Sequence, residues 1–163
     1  MSKFKFFVIV LLLGAAYMAW MIFENPKREV IAKGLWLGSS VVNIEIASSR
    51  VELGRGLSGR DYLAPKNGML FVYKKQEVPG FWMRDMKFPL DLIWISEQEK
   101  VVGVTPDVKP DSYPQSYGPP EPIKYVLEVN AGFAKANNIS EGTAVHFNDT
   151  TKAIIEDIVK SEK

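Results

Sequence analysis

Cysteine is absent from this 163-residue chain, and histidine occurs once, at position 146. Without thiols there is no disulfide, no thiolate nucleophile, no cysteine-ligated zinc and no iron–sulfur cluster. A single histidine also leaves no multi-histidine metal centre within one chain. Calcium or magnesium would need a set of oxygen ligands, and no Asp-x-Asp-x-Asp-Gly loop is present. No metal and no cofactor is therefore expected. Surplus charge of one sign is missing too. The formal net charge is +1, but removing residues 1–23, which contain Lys3 and Lys5 and no acid, leaves 18 bases against 19 acids. A near-neutral body has no electrostatic footprint for nucleic acid, and no nucleic-acid partner is expected. With 47% apolar and 24% charged residues, the composition is that of one ordinary globular domain rather than a disordered chain.

One long apolar run is present. Phe6 to Phe23 holds 18 uncharged residues behind Lys3 and Lys5, and as a helix it would rise roughly 27 Å, nearly the thickness of a hydrocarbon core. It reads as a transmembrane helix and a retained signal anchor. A cleavable signal peptide is the alternative, since Gly14-Ala15-Ala16 offers small residues after a short apolar stretch. The anchor is preferred because apolar character continues to Phe23 and Trp20 suits the far interface. Lysines before the span and Glu24 after it place the body on the extracytoplasmic side, periplasmic or outer, of the cell membrane as a single-pass protein. The expected division is an anchor over 1–23, a linker over 24–38, a β domain over 39–148 and a helical tail over 149–163. Gly34 to Gly38 either begins the domain or rests on the membrane surface.

The body reads as strands. Alternation or β-branched and aromatic enrichment predicts them near 41–47, 69–73, 80–84, 90–95, 101–105, 124–129 and 143–147. Short connections favour antiparallel pairing. The densest stretch is Gly80 to Ile95, where Arg84, Asp85 and Asp91 sit within an apolar, aromatic sequence, the mixture from which binding sites are built. Arg55-Gly56-Leu57-Ser58-Gly59-Arg60 is neither a nucleophile elbow nor a phosphate loop, for want of Gly-x-Ser-x-Gly and of a Gly-Lys-Ser/Thr ending. It reads as a short helical turn whose arginines either clamp an anion or tie the loop to the sheet. Pro106 to Pro122 carries six prolines with Tyr113 and Tyr117, so it is stiff and extended, either a stacking surface or a rigid cover over a sheet edge. Short helices are expected over 130–137, capped by Asn130, and over 151–159, capped by Asp149 or Thr150. His146, alone on its strand, reads as a structural residue.

The ordered runs GLSGRDYLAPKNGMLFVY, GFWMRDMKFPLDLIWIS and YVLEVNAGFAKANNISEGTAVHF resemble the DUF192 (UPF0127) family of uncharacterised bacterial and archaeal proteins, over roughly Val41 to Phe147. The family often carries Asn-Thr after Trp-Met-Lys, where this chain has Asp85 and Met86. The resemblance implies a compact, mainly β, antiparallel sandwich or barrel with short helices and no established activity.

Two functions remain. The first is a membrane-tethered, non-catalytic binding module for a small polar ligand or cell-envelope partner, using Trp82, Arg84, Asp85, Asp91, Arg55, Arg60, Tyr113, Tyr117 and Glu128. The second is a hydrolase using Asp85, Asp91 or Glu128 as acid and base. Convergence of two of these carboxyls in one cleft would favour the enzyme. Phe81 and Met83 should share one face and Trp82 and Arg84 the other, under a roof formed by the proline-rich loop.

Overall fold

The computed structural model describes residues 33–161. The apolar run of residues 6–23 lies outside them, and among the described residues no helix is long and apolar enough to cross a membrane.

Among the described residues seven strands form one sheet: β1 (Gly34–Leu37), β2 (Ser40–Ala47), β3 (Asn67–Glu77), β4 (Leu90–Ile95), β5 (Val101–Val108), β6 (Ile123–Asn130) and β7 (Val145–Phe147), in the spatial order β5-β4-β6-β3-β2-β1-β7. All pairings are antiparallel except β2 with β3. That exception has a cause in the chain. A parallel pair needs a crossover, and residues 48–66 supply one that contains helix α1 (Arg50–Arg55). Ser49 caps α1, accepting from the Glu52 amide while the Glu52 side chain accepts from the Ser49 amide. Helices α2 (Phe133–Ala136) and α3 (Asp149–Lys160) complete the fold.

The sheet curls into a half-barrel. A bridge pairs Lys100 with Ala144, and the Val145 amide donates to Glu99 O at 2.9 Å, so the start of β5 meets the approach to β7. One core fills the inner face with Leu35, Val42, Leu70, Ile93, Leu127 and Phe147, and α3 closes it with Ile155. A second core lies on the other face of β3, β4 and β6, where Phe71, Leu92, Trp94 and Val126 pack beneath Leu57, Phe81 and Met83. The central strands are therefore covered on both sides, and every residue of β4 is buried.

Several expectations change. Gly34 to Leu37 is a full strand at the start of the sheet, paired with both β2 and β7. Residues 80–84 are not a strand; a single bridge joins Phe81 to Tyr117, because Pro79 and the turn at Asp85 (φ 55°) leave no room for a ladder. Asn130 does not cap α2. Its amide donates instead to Leu63 O at 2.9 Å, and Gly132 (φ 84°) precedes the helix. Asn148, rather than Asp149 or Thr150, caps α3 by accepting from the Thr151 amide at 2.8 Å. The proline-rich segment lies against edge strand β5, with Pro120 so near Gly103 that an added Cβ would come within 3.3 Å of its ring. Because a Cβ stands out of the plane of a sheet, this contact is with the face of β5 rather than with its hydrogen-bonding edge.

Candidate functional site: a cleft over Glu128

The crossover helix and the segment after β3 approach each other over the outer face of the sheet. Ser58 Oγ donates to Arg84 O and the Gly59 amide to Asp85 O, both at 2.9 Å. Lys87 Nζ reaches Asp61 Oδ1 at 2.6 Å beside them. Between the tied segments lies a cleft of about 250 Å³, with Arg55, Ser58 and Trp82 among its outer residues and Phe71, Tyr73 and Glu128 on its sheet side.

Glu128 belongs to the central strand β6, between Leu92 on β4 and Met69 on β3. It is 7% exposed, and its Oε2 has no hydrogen-bond partner, the only buried side-chain polar atom among the described residues in that condition. Burial pushes its carboxyl up to about 8, with the Arg60 guanidinium pulling the other way, so the acid is mostly protonated at neutral pH. Burial likewise raises the Tyr73 hydroxyl beside it, with Glu77 and Glu128 adding to the effect. Gly56 is a requirement of this geometry. Its φ of +50° suits glycine, and a Cβ there would lie 3.1 Å from Phe71 Cζ and 3.7 Å from Glu128 Oε2. Larger hollows exist, one of about 840 Å³ beside Phe133, but none holds a buried carboxyl lacking a partner.

The residues singled out from sequence divide into groups. Glu128, Arg55 and Trp82 line the cleft, Trp82 being 51% exposed while Phe81 and Met83 are buried, as strand-like alternation required. Arg60 is bound to the sheet, its two terminal nitrogens at 2.6 and 2.8 Å from the Glu45 carboxylate on β2. That contact holds the Glu45 carboxyl below its ordinary value. Arg84 and Asp85 point to solvent as a loose pair at 3.6 Å and do not line the cleft; their backbone carbonyls accept from Ser58 and Gly59 and so tie the two segments beside it. Asp91 is fully buried and accepts from the amides of Asp107, Gly132 and Ala134 at 2.8 to 3.1 Å, thereby tying β4 to β5 and to the start of α2. Tyr113 is exposed, and Tyr117 is tied to Phe81 through its backbone; neither lines the cleft, so the proline-rich loop is not its roof. His146 is exposed on β7, opposite Trp36.

The three candidate carboxylates do not meet. Asp91 pairs in register with Val129, whose side chain is in the inner core, whereas Glu128 faces outward. Asp85 is outside the cleft lining. Chemically the cleft is thus one neutral-to-anionic acid, aromatic and methionine side chains and one arginine. Phe71, Tyr73, Gly54, Gly56 and Ser58 escaped sequence reasoning. The signal that pointed to Glu128 was a lone acid inside Tyr-Val-Leu-Glu-Val, an otherwise apolar run typical of a strand covered on both faces.

Fold and site together define a small β domain: a curled sheet with a crossover helix that walls an outward cleft. The chain belongs to the DUF192 family, described as "Uncharacterized ACR, COG1430", whose pattern matches residues 35–147. A solved protein of unknown function from Novosphingobium aromaticivorans DSM 12444 is 26% identical, with a TM-score of 0.66 over 69% of this chain and 83% of its own. A second, from Sinorhizobium meliloti 1021 and described as a proposed transcription regulator, is 28% identical, also at TM-score 0.66, covering 71% of this chain and 91% of its own. No curated protein matches.

Proposed function

We propose that this domain is a non-catalytic binding module whose cleft over Glu128 receives a small polar ligand, tethered to the outer side of the cell membrane by residues 6–23. The observation that carries the binding reading is the buried, unpartnered Glu128 Oε2 at a cleft open to solvent. Buried polar groups are almost always paired, and an exception calls for a partner from outside. The tether is supported by the uncharged run and its flanking lysines. A hydrolase would need a second carboxyl beside Glu128, and neither Asp85 nor Asp91 lines the cleft. The regulator description of the Sinorhizobium protein does not alter this reading, because a near-neutral body has no surplus of positive charge to favour DNA phosphates.

A thermal-shift screen of the full chain in mild detergent tests the module, using sugars, nucleotides, amino acids, amines and divalent cations. A ligand that binds only the native state raises its melting temperature. Hits should bind the Trp82→Ala variant more weakly by about 1 to 3 kcal/mol, as loss of an aromatic anchor does, while the half-exposed indole leaves the melting temperature of the free protein nearly unchanged. Hits that bind both forms equally would place the site elsewhere.

A further inference from the structure

We propose that the occupant of this cleft is a small organic monocation, an ammonium whose N–H groups bond the Glu128 carboxylate while its carbon body rests against Phe81 and Trp82. This rests on the reading of the cleft as a binding site and adds the chemistry of the ligand.

The argument is one of elimination by charge and shape. An apolar residue at position 128 would pack between Met69 and Leu92 without the desolvation cost of a carboxyl, so an acid held there without a partner is poised for one. A divalent metal ion needs about six or more oxygens, and among the described residues Glu128 is the only carboxylate lining the cleft. An anion would be repelled whenever Glu128 ionises, so it could bind only while that acid stays protonated. A neutral carbonyl compound would accept one hydrogen bond from the protonated acid, but it would gain little from the surrounding rings. An ammonium gains from both. It offers several donors to the carboxylate, and Tyr73, Phe81 and Trp82 supply the π surface that attracts cations. The arginines limit the charge to one. Arg55 at the cleft and Arg60 behind it would repel a second positive group. The volume of about 250 Å³ is the share of about eight waters, which suits a small molecule rather than a chain of sugar or peptide units.

A dependence on pH follows. The groups facing Glu128 are Arg55 from α1, Arg60 from the loop after it and Tyr73 from β3, while the flanking residues Leu92 of β4 and Met69 of β3 are uncharged. The bond to Glu45 raises the Arg60 guanidinium and burial raises the Tyr73 hydroxyl, so neither changes charge across the neutral range in which Glu128 titrates. An ammonium binds the carboxylate form, so below pH 8 its binding must expel the acid's proton to solvent.

The test titrates the full chain in detergent with n-propylammonium, propionamide and propionate, from about pH 6 to about pH 9, following the Trp82 side-chain resonance and the heat of binding. Propylammonium affinity should rise about tenfold per pH unit well below 8 and level off above it, with close to one proton released per ligand at the acid end, read by comparing buffers of different ionisation enthalpy. Glu128→Gln should abolish this binding while remaining folded, and the resonance shift should be lost at every pH. Tighter binding of propionamide, weakening as pH rises, would overturn the ammonium and leave the cleft as a binding site for neutral acceptors. Propylammonium binding that persists in Glu128→Gln without pH dependence, or no response to propylammonium at all, would also overturn it. The broad screen with Trp82→Ala then decides independently whether the cleft binds anything.

Discussion

At the scale of the residue, Glu128 sets the stability profile of the domain as well as its site. Burial pushes its carboxyl up to about 8 in the folded protein, from an ordinary value near 4.5 in the unfolded chain. The native state therefore keeps a proton that the unfolded chain has already lost, and stability falls as pH rises between these two values, then stays level above them. At about 1.4 kcal/mol per pH unit the full loss is on the order of 5 kcal/mol. Chemical denaturation at a series of pH values should show this slope in the wild type and a flattened one in Glu128→Gln; equal slopes would mean that the carboxyl finds a partner in solution. Below the window the sign reverses for Glu45 and Asp61. Hydrogen bonds from Arg60 and Lys87 hold their carboxyls low, so what they contribute is lost only as the acid limit is approached. Asp85 illustrates a different residue-scale cause. At φ 55° it occupies the left-handed region that asparagine and aspartate tolerate better than most residues. Asp85→Asn should therefore leave stability within about 0.5 kcal/mol of wild type, since the side chain is exposed and only its backbone carbonyl holds the loop. A large loss in thermal denaturation would assign the side chain a role that its surroundings do not show.

At the scale of the element, the placement of α2 depends on a side chain from another strand. Helix α2 has only four residues and no cap from its own sequence, so its first amides turn to Asp91 on β4. Asp91→Ala would leave the amides of Asp107, Gly132 and Ala134 without this acceptor, and a cost of about 3 to 5 kcal/mol is expected in chemical denaturation. Asp91→Asn should lie between, because one carboxylate oxygen is replaced by a donor that faces another donor. If both variants match the wild type, the aspartate is not what anchors the helix. Helix α1 works in the opposite way. Its capping box is local, between Ser49 and Glu52, and what it gains from the tertiary structure is a position over β6 that turns the Gly56 backbone toward Glu128. The tie from Ser58 and Gly59 to residues 84 and 85 holds the two walls of the cleft together.

At the scale of the whole molecule, the sheet from Gly34 onward and the apolar run of residues 6–23 pose separate questions. We expect the run to remain on the mature protein as the membrane anchor, with the domain outside the cytoplasm. Cell fractionation combined with protease added from outside tests this: the chain should sediment with membranes and its domain should be accessible. Recovery of a soluble mature chain beginning near Tyr17 would instead show signal-peptide cleavage. The domain has no disulfide to reinforce it. Its cohesion comes from two cores on the two faces of one sheet, and the curl that joins Lys100 to Ala144 leaves the inner core enclosed.

Where most strands lie could be read from the residues alone, because side-chain alternation and β-branched enrichment act within a few residues of one another. Six of the seven predicted strands have counterparts in β2 to β7, while β1 was left between linker and domain and residues 80–84 proved to be a loop with one bridge. Alternation also determined that Phe81 and Met83 would oppose Trp82, since neighbouring side chains in an extended segment must diverge. The chemistry excluded by the absence of cysteine was legible in the same way. Which partners those local preferences meet depends on contacts between distant parts of the chain. The parallel pairing of β2 with β3, the transfer of the α2 cap from Asn130 to Asp91, and the bonding of Arg60 to Glu45 all join residues far apart in the chain. Above all, alternation says that Glu128 and Val129 face opposite ways but not which of them meets a closed core. Glu128 is left without a partner because the crossover from β2 to β3 arches over that one face and stops short of filling it.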